Sequence, residues 1–292
     1  MSLNGVLVID KPAGMTSHDV VARVRKILGT KKVGHAGTLD PDATGILVLG
    51  IGHATRLLSY AQAGPKRYVA VASFGTSTTS QDASGEVIET RPVQLDAAAV
   101  TRAAAGFVGD IEQIPPMVSA VKVGGERLYK KARRGEDVER APRPVTIHSL
   151  EMAAFQAEPP EATFDVVCSP GTYVRTLVHD LGEALGCGAH LKTLRRTEAS
   201  GFTEADAVPL DEAGPSHLRP AVDVVGTLPR LALAPDALRL VADGRPLSAE
   251  SGDVPVGDLA EDAPVALVSD DTLLAVYKRR GDLLVAEKVL AP

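Results

Sequence analysis

The residues best suited to chemistry lie in one stretch, Gly34-His35-Ala36-Gly37-Thr38-Leu39-Asp40-Pro41-Asp42-Ala43-Thr44-Gly45, which is followed by the apolar run Ile46–Leu49. Its glycines allow tight turns and close backbone approach, and Pro41 keeps the preceding Asp40 out of the helical region. The stretch therefore reads as a loop that fixes one carboxylate, with an imidazole nearby and a buried strand behind it. Loops on a rigid scaffold are where chemistry usually sits. By residue type alone, three uses compete. One is a plain surface turn, since Asp-Pro and glycine-rich stretches are common turn chemistry. A second is phosphoryl transfer, because Asp40, Asp42 and Thr44 fit the pattern D-x-D-x-T. That chemistry uses the first aspartate as nucleophile and needs Mg²⁺ with further carboxylates, for which Asp270-Asp271 are available. Such a nucleophile normally ends an apolar strand, whereas Gly-His-Ala-Gly-Thr-Leu precedes Asp40. The third is dinucleotide binding at Gly50-Ile51-Gly52, but Thr55 stands where the third glycine belongs.

The twelve-residue stretch closely resembles the motif that carries the catalytic aspartate in the TruB family of tRNA pseudouridine synthases. These enzymes modify uridine 55 in the T-loop of tRNA. Other stretches resemble the same family in chain order. They are Asp10-Lys11-Pro12-Ala13-Gly14-Met15-Thr16-Ser17, Arg67-Tyr68, Gly109–Pro116, Ser119–Lys122, Gly171-Thr172-Tyr173-Val174-Arg175-Thr176, Asp180-Leu181-Gly182, Gly186–Leu191 and Leu194-Arg195-Arg196. The likeness runs over about residues 5–201 and weakens after that. It implies that Asp40 is the catalytic carboxylate, Tyr68 the active-site tyrosine and Arg175 the active-site arginine. It also places Lys11, His35 and Tyr173 among the residues that contact substrate RNA. It implies no cofactor and no metal. Taken singly, Tyr68 and Tyr173 read as packing residues, Arg175 as a surface ion-pair former and His35 as a loop cap. Their ordered placement within family motifs, in a chain only 3% aromatic, favours the functional reading.

The implied reaction breaks the N1–C1′ bond of a uridine, turns the uracil and joins C5 to C1′. It needs one ionised carboxylate beside C1′ and C2′, which either attacks C1′ or removes a proton from C2′. The residue types leave that choice open. Burial disfavours the charged carboxylate and an adjacent cation favours it, so Arg175, with its fixed fork, is the expected cation. Tyr68 offers a face for stacking the uracil and a hydroxyl to relay the C5 proton. His35 is a candidate to fill the place that the flipped uridine vacates. Two alternatives stand beside this reading: a Mg²⁺-dependent phosphatase with Asp40 as nucleophile, and a non-catalytic tRNA-binding or folding module.

The 292-residue chain is 45% hydrophobic, enough for a sizeable core. Cys168 and Cys187 lie outside any C-x-x-C motif, so reduced thiols and a cytoplasmic location are expected. The apolar run Val6–Ile9 is too short for a signal peptide or a membrane span, so no membrane partner is expected. The chain is expected to act as a monomer on the T-stem-loop of tRNA. Its net charge of −6 argues against nucleic acid, but the distribution does not. Residues 23–39 carry five basic side chains and no acidic one, and residues 122–143 carry eight basic and four acidic. RNA contacts through shape and phosphates are expected there, with Lys130, Lys131, Arg133 and Arg134 foremost.

These groups need elements to hold them. The pattern predicts a strand at Gly5–Ile9, then a helix capped by Thr16 or Ser17 with Val20, Val21 and Val24 on its buried face. Strands are expected at Ile46–Leu49, Lys66–Ala72, Val145–Phe155, Ala162–Cys168 and Leu191–Ala199. Helices are expected at Leu95–Phe107 and in the second part of Thr172–Leu185. Strands outnumber helices and short turns join most of them. This predicts an α+β (mixed α/β) fold, a largely antiparallel mixed sheet with packed helices. The resemblance implies the pseudouridine synthase fold. A shift in composition near Thr227–Leu231 divides a catalytic domain, 1–230, from a small β-rich domain, 231–292. The first includes an RNA-binding insertion at about 124–144, with a short helix around Arg127–Arg134. The second resembles a PUA domain, with strand-like segments at Leu238–Val241 and Val265–Val268.

Overall fold

The computed structural model describes residues 3–119, 121–128, 131, 134–136, 138–233, 237–248, 259–270 and 272–290. The chain packs as two compact units. One comprises Met1–Pro41, Ile46–Gly64 and Ala199–Pro292, the other Asp42–Gly45 and Pro65–Glu198.

The first unit is built on two neighbouring strands, Gly5–Lys11 and Thr44–Ile51. Their side chains alternate between two cores, as the two-residue period of a strand requires. Val6, Val8, Ile46 and Val48 enter one core, while Leu7, Ile9, Leu47, Leu49 and Ile51 enter the other. The second core is closed by Val20, Val21 and Val24 of the helix Ser17–Ile27. That helix starts at Thr16, whose hydroxyl accepts from the Asp19 N–H at 3.1 Å while the Asp19 carboxylate accepts from the Thr16 N–H at 2.9 Å. The Thr16 hydroxyl and then its amide hold the Asp19 carboxyl below the usual range.

The first core is closed by Ala54, Leu57, Leu58 and Ala61, by Phe202 and Val222, and by Ala266, Leu273 and Val276. The last three belong to a five-stranded sheet ordered Arg230–Ala232, Pro264–Ser269, Thr272–Arg280, Leu283–Val289 and Leu247–Ser248. Its other face holds a separate core of Val265, Leu267, Ala275, Tyr277 and Leu284. The sheet is thus buried on both faces, and the residues beyond 230 share a core with the opening strand. One expectation fails here. Leu238–Val241 is not strand-like, because Ala237–Ala242 forms a short helix. Ala, Leu and Arg favour helix, and the buried pair Ala237 and Val241 has helical spacing.

In the second unit the strands run in the order Ala189–Ala199, Lys66–Phe74, Pro160–Cys168, Arg143–Ala157 and Gly109–Gln113. From Lys66–Phe74 onward each pair is antiparallel. Thr44 and Gly45 pair in parallel with Arg195 and Arg196. Gly45 has φ +98°, and a Cβ there would overlap the Arg196 carbonyl, so this position requires glycine. Parallel and antiparallel pairs together make the sheet mixed, as expected. The strand Gly109–Gln113 is an addition to the sequence reading, which treated these residues only as a motif. The helices Ala97–Ala105 and Val174–Ala184 pack in the same unit. Among the described residues no helix is long and apolar enough to cross a membrane.

Candidate active site

Asp40 lies in the loop between the strand Val33–His35 and the strand Thr44–Ile51, which pair antiparallel with His35 opposite Leu49. Asp40 is half-buried, while Asp42 is exposed. The main chain is clamped on both sides of Asp40, at Leu39 and at Pro41. The Ser17 hydroxyl accepts from the Leu39 N–H at 2.9 Å and lies 3.2 Å from the Leu39 carbonyl, to which it donates. The Lys11 ammonium donates to the carbonyls of Pro41 at 2.8 Å, Met15 at 2.6 Å and Pro12 at 2.8 Å. Side chains at the start of the chain therefore set the backbone from which Asp40 projects.

This changes the reading of Lys11. The resemblance placed it among RNA contacts, but the side chain is 0% exposed and each of its three N–H donors has a carbonyl within reach. Its observed task is to hold the loop. Thr16 takes the helix cap, which leaves the Ser17 hydroxyl for Leu39; the sequence offered the two as equivalent. His35 is half-buried, with its ring edge-on to His18 at 5.4 Å between centroids.

The second unit holds Tyr68, Tyr173 and Arg175. Alternation along Lys66–Phe74 buries Tyr68 to 7% exposure and turns Arg67 outward, onto Asp165 at 2.8 Å and Glu198 at 3.3 Å. Lys66 shares the buried side with Tyr68. Burial, and then the charge of Arg196, push its ammonium down to about 8. Arg175, in the first turn of Val174–Ala184, is 4% exposed. Its guanidinium donates to the Ser80 carbonyl at 3.0 Å and the Val118 carbonyl at 2.9 Å, and lies 3.4 Å from an Asp82 carboxylate oxygen. Asp82 also accepts from the Ser80 hydroxyl at 2.5 Å and from the Ser84 N–H at 3.0 Å. Asp82 thus places a carboxylate beside Arg175 from within the same unit. The fork ties the turn at Ser80–Asp82 and the main chain at Val118 to its own helix, which a multidentate donor does and a point charge does not. The backbone of Tyr173 is held from both sides by Gln113, a side chain 1% exposed. Gln113, Asp82, Ser80 and Ser17 are supporting residues that sequence reasoning did not single out. For Gln113 and Ser17 the signal available was their place inside family-like motifs; Ser80 and Asp82 lie outside those motifs and gave no such signal.

The basic excursion begins with the hairpin Lys122–Val123 and Glu126–Arg127. Arg134 was expected to contact phosphate. In this structure it makes a two-pronged contact with Glu126 at 2.8 Å and donates to Glu136 at 2.6 Å. Lys131 is half-buried. Lys130 and Arg133 lie outside the described residues.

The sequence matches the family described as "TruB family pseudouridylate synthase (N terminal domain)" over residues 25–174. It matches "tRNA pseudouridylate synthase B C-terminal domain" over residues 175–215. The protein from Thermobifida fusca (strain YX) named tRNA pseudouridine synthase B is 46% identical, with 92% of this chain and 94% of that protein covered. The protein of the same name from Streptococcus pneumoniae serotype 4 (strain ATCC BAA-334 / TIGR4) is 42% identical, with 99% and 100% covered. Among solved structures, a chain of a Cbf5-Nop10-Gar1 complex superposes with a TM-score of 0.78 at 27% identity, with 99% of this chain and 85% of that chain covered.

Proposed function

Since the chain belongs to the TruB family of pseudouridylate synthases, we propose that Asp40 is the carboxylate on which its chemistry turns. The chain is an isomerase that converts uridine in tRNA to pseudouridine, at position 55 as in its family. The observation that carries the assignment is the double clamp, in which Ser17 and Lys11 fix the main chain of Leu39 and Pro41, the residues on either side of Asp40. A carboxylate that must meet C1′ or the C2′ proton of one flipped nucleotide gains from such preorganisation. Tyr68 supplies the stacking face and a hydroxyl for the C5 proton. Arg175 supplies positive charge in a buried, fully shaped setting. His35 and Tyr173 contact the RNA, the former at the place the uridine leaves. The N1–C1′ bond breaks, C5 bonds to C1′, and the proton lost from C5 balances the one gained at N1.

The part of the chain from 1 to 230 is the catalytic domain in this reading, acting as a monomer in the cytoplasm, and residues 231–292 form the smaller PUA-like part. The test is positional mapping of pseudouridine in an unmodified tRNA incubated with the protein. Product at position 55 alone is expected; product at another position, or none, refutes the assignment.

The excursion around 124–144 gives a second, independent check. Replacing Lys130, Lys131, Arg133 and Arg134 together by neutral residues should weaken tRNA binding and flatten its salt dependence. Each phosphate left without its basic partner should lower the log–log slope by about one unit. Arg134→Gln alone should change the slope least, because Glu126 and Glu136 already neutralise that guanidinium. An unchanged slope in the fourfold variant would show these charges to be a solvated face.

A further inference from the structure

The helix that carries Arg175 starts without a cap of its own. Tyr173, the residue before Val174–Ala184, makes no capping hydrogen bond with its side chain. Such caps usually fix the angle at which a chain enters a helix. Here Gln113, 60 residues earlier, takes that task. Its amide oxygen accepts from the Tyr173 N–H at 2.9 Å, and its NH₂ group donates to the Tyr173 carbonyl at 3.2 Å. The same carbonyl accepts from the Leu177 N–H at 3.0 Å, a bond within the first helical turn, so both of its lone pairs are in use. The planar carboxamide thus pairs with Tyr173 in both directions, as the main chain of a neighbouring strand would.

Gln113 ends the edge strand Gly109–Gln113, with Arg143 opposite it in the sheet. The chain that follows reaches the same helix again. Beyond Pro115 and Pro116, whose rings fix φ and stiffen the link, the Val118 carbonyl accepts from the Arg175 guanidinium at 2.9 Å. Midway, the Pro115 carbonyl accepts from Arg140 at 3.3 Å. One short strap, 113–118, therefore grips the first helical turn twice, at the main chain of Tyr173 and at the side chain of Arg175.

We propose that Gln113 is a positioning residue for the reaction. Its carboxamide sets the entry angle and rotation of the first helical turn, and so the aim of the Arg175 fork, without touching the substrate. The inference rests on the tRNA-modifying reading above, in which Arg175 serves the flipped uridine. The bonding pattern points to aim rather than bulk. An apolar side chain of similar volume would fill the same space, yet it would leave the Tyr173 main chain without its partners and the turn free to rotate. Small misplacements of a group that acts at a reacting centre are costly in rate.

The test compares Gln113→Met, which keeps the approximate volume and removes both hydrogen bonds, with Gln113→Asn, which keeps both polar groups on a shorter stem. Single-turnover formation of pseudouridine with saturating protein, well below each thermal midpoint, should fall about 20-fold in Gln113→Met. The Kd for tRNA should stay within about threefold, and Gln113→Asn should lie between that variant and the wild type. In an Arg175→Lys background, Gln113→Met should add less than about threefold, because the fork it aims is already gone. A factor that multiplies through in the double variant overturns the proposal. So does a wild-type rate with a lowered midpoint, which would make Gln113 a stabilising contact only, and so does a raised Kd at an unchanged rate, which would make it an RNA contact. If Gln113→Met does not fold, Gln113→Asn is judged by the same rate, Kd and double-variant criteria. Wild-type product at position 55 in the same reactions keeps the two readings apart. Without it the function fails, and this inference with it; with it, and with no loss of rate in the variants, only the role of Gln113 fails.

Discussion

Asp40→Asn is expected to bind tRNA within about threefold of the wild type yet to lower turnover by at least about 10⁴-fold, the scale seen when a reacting group is deleted. The carboxylate either attacks C1′ or takes the C2′ proton, and a neutral amide does neither. Binding should survive because the loop's shape is set elsewhere. Ser17 holds Leu39 and Lys11 holds Pro41 through main-chain groups that the substitution does not touch. Asp42→Asn is the matched control, since Asp42 is exposed where Asp40 is half-buried, and it should cost little. Single-turnover formation of pseudouridine, measured with enzyme in excess over tRNA, separates chemistry from binding. Turnover near the wild-type value in Asp40→Asn would remove the assignment on which the mechanism is built.

The next largest effect is expected from Arg175→Lys, which keeps the charge and loses the fork. The guanidinium bridges the Ser80 carbonyl, the Val118 carbonyl and the Asp82 carboxylate from a side chain only 4% exposed. An ammonium on a flexible stem does not reach all three from one position. Leaving one or two such groups without a donor should cost about 2–4 kcal/mol of stability. It should also lower turnover about 100-fold through misplacement of the site. Urea unfolding reads the first effect and single-turnover rates well below the thermal midpoint read the second. If the lysine variant matched the wild type in rate while losing stability, Arg175 would be a structural strut and charge at this position would not serve the reaction.

Short-range features were the ones most open to reading from sequence. The capping box of Thr16 and Asp19 spans three residues, and the alternation of Lys66–Phe74 is visible in its own residue types. Asp40, Tyr68 and Arg175 stood out because family-like motifs surround them. The clamps did not, because Ser17 lies 22 residues from Leu39, and Lys11 lies 30 from Pro41. Nothing in local composition says that a lysine in a Lys-Pro turn will be fully buried. Gly109–Gln113 was missed as a strand because Asp110 and Glu112 give it the look of a loop; it is an edge strand, paired with Arg143–Ala157, in which Asp110 and Glu112 are exposed and Gln113 is buried. The ion pairs of Arg134 were hidden for a different reason. Counting charges does not reveal that its partners, Glu126 and Glu136, lie within its own segment.

The two cores that meet at the strand Gly5–Lys11 close at different times during synthesis. Leu7 and Ile9 find Val20, Val21 and Val24 almost as soon as they leave the ribosome. Val6 and Val8 wait for Ala266, Leu273 and Val276. At ribosomal speeds of about 5–20 residues per second, that interval is roughly ten seconds to a minute. Throughout most of it the nascent chain carries one seam that lacks only Leu210 and Ala213 and another that still lacks the valine and alanine face of the C-terminal sheet. The clamps of Lys11 and Ser17 on the Asp40 loop form from residues made early, so the catalytic loop can be shaped before the seam behind it is sealed. A translational pause or premature stop beyond residue 232 would leave a chain with a largely formed loop and an exposed valine face, the kind of surface that chaperones bind.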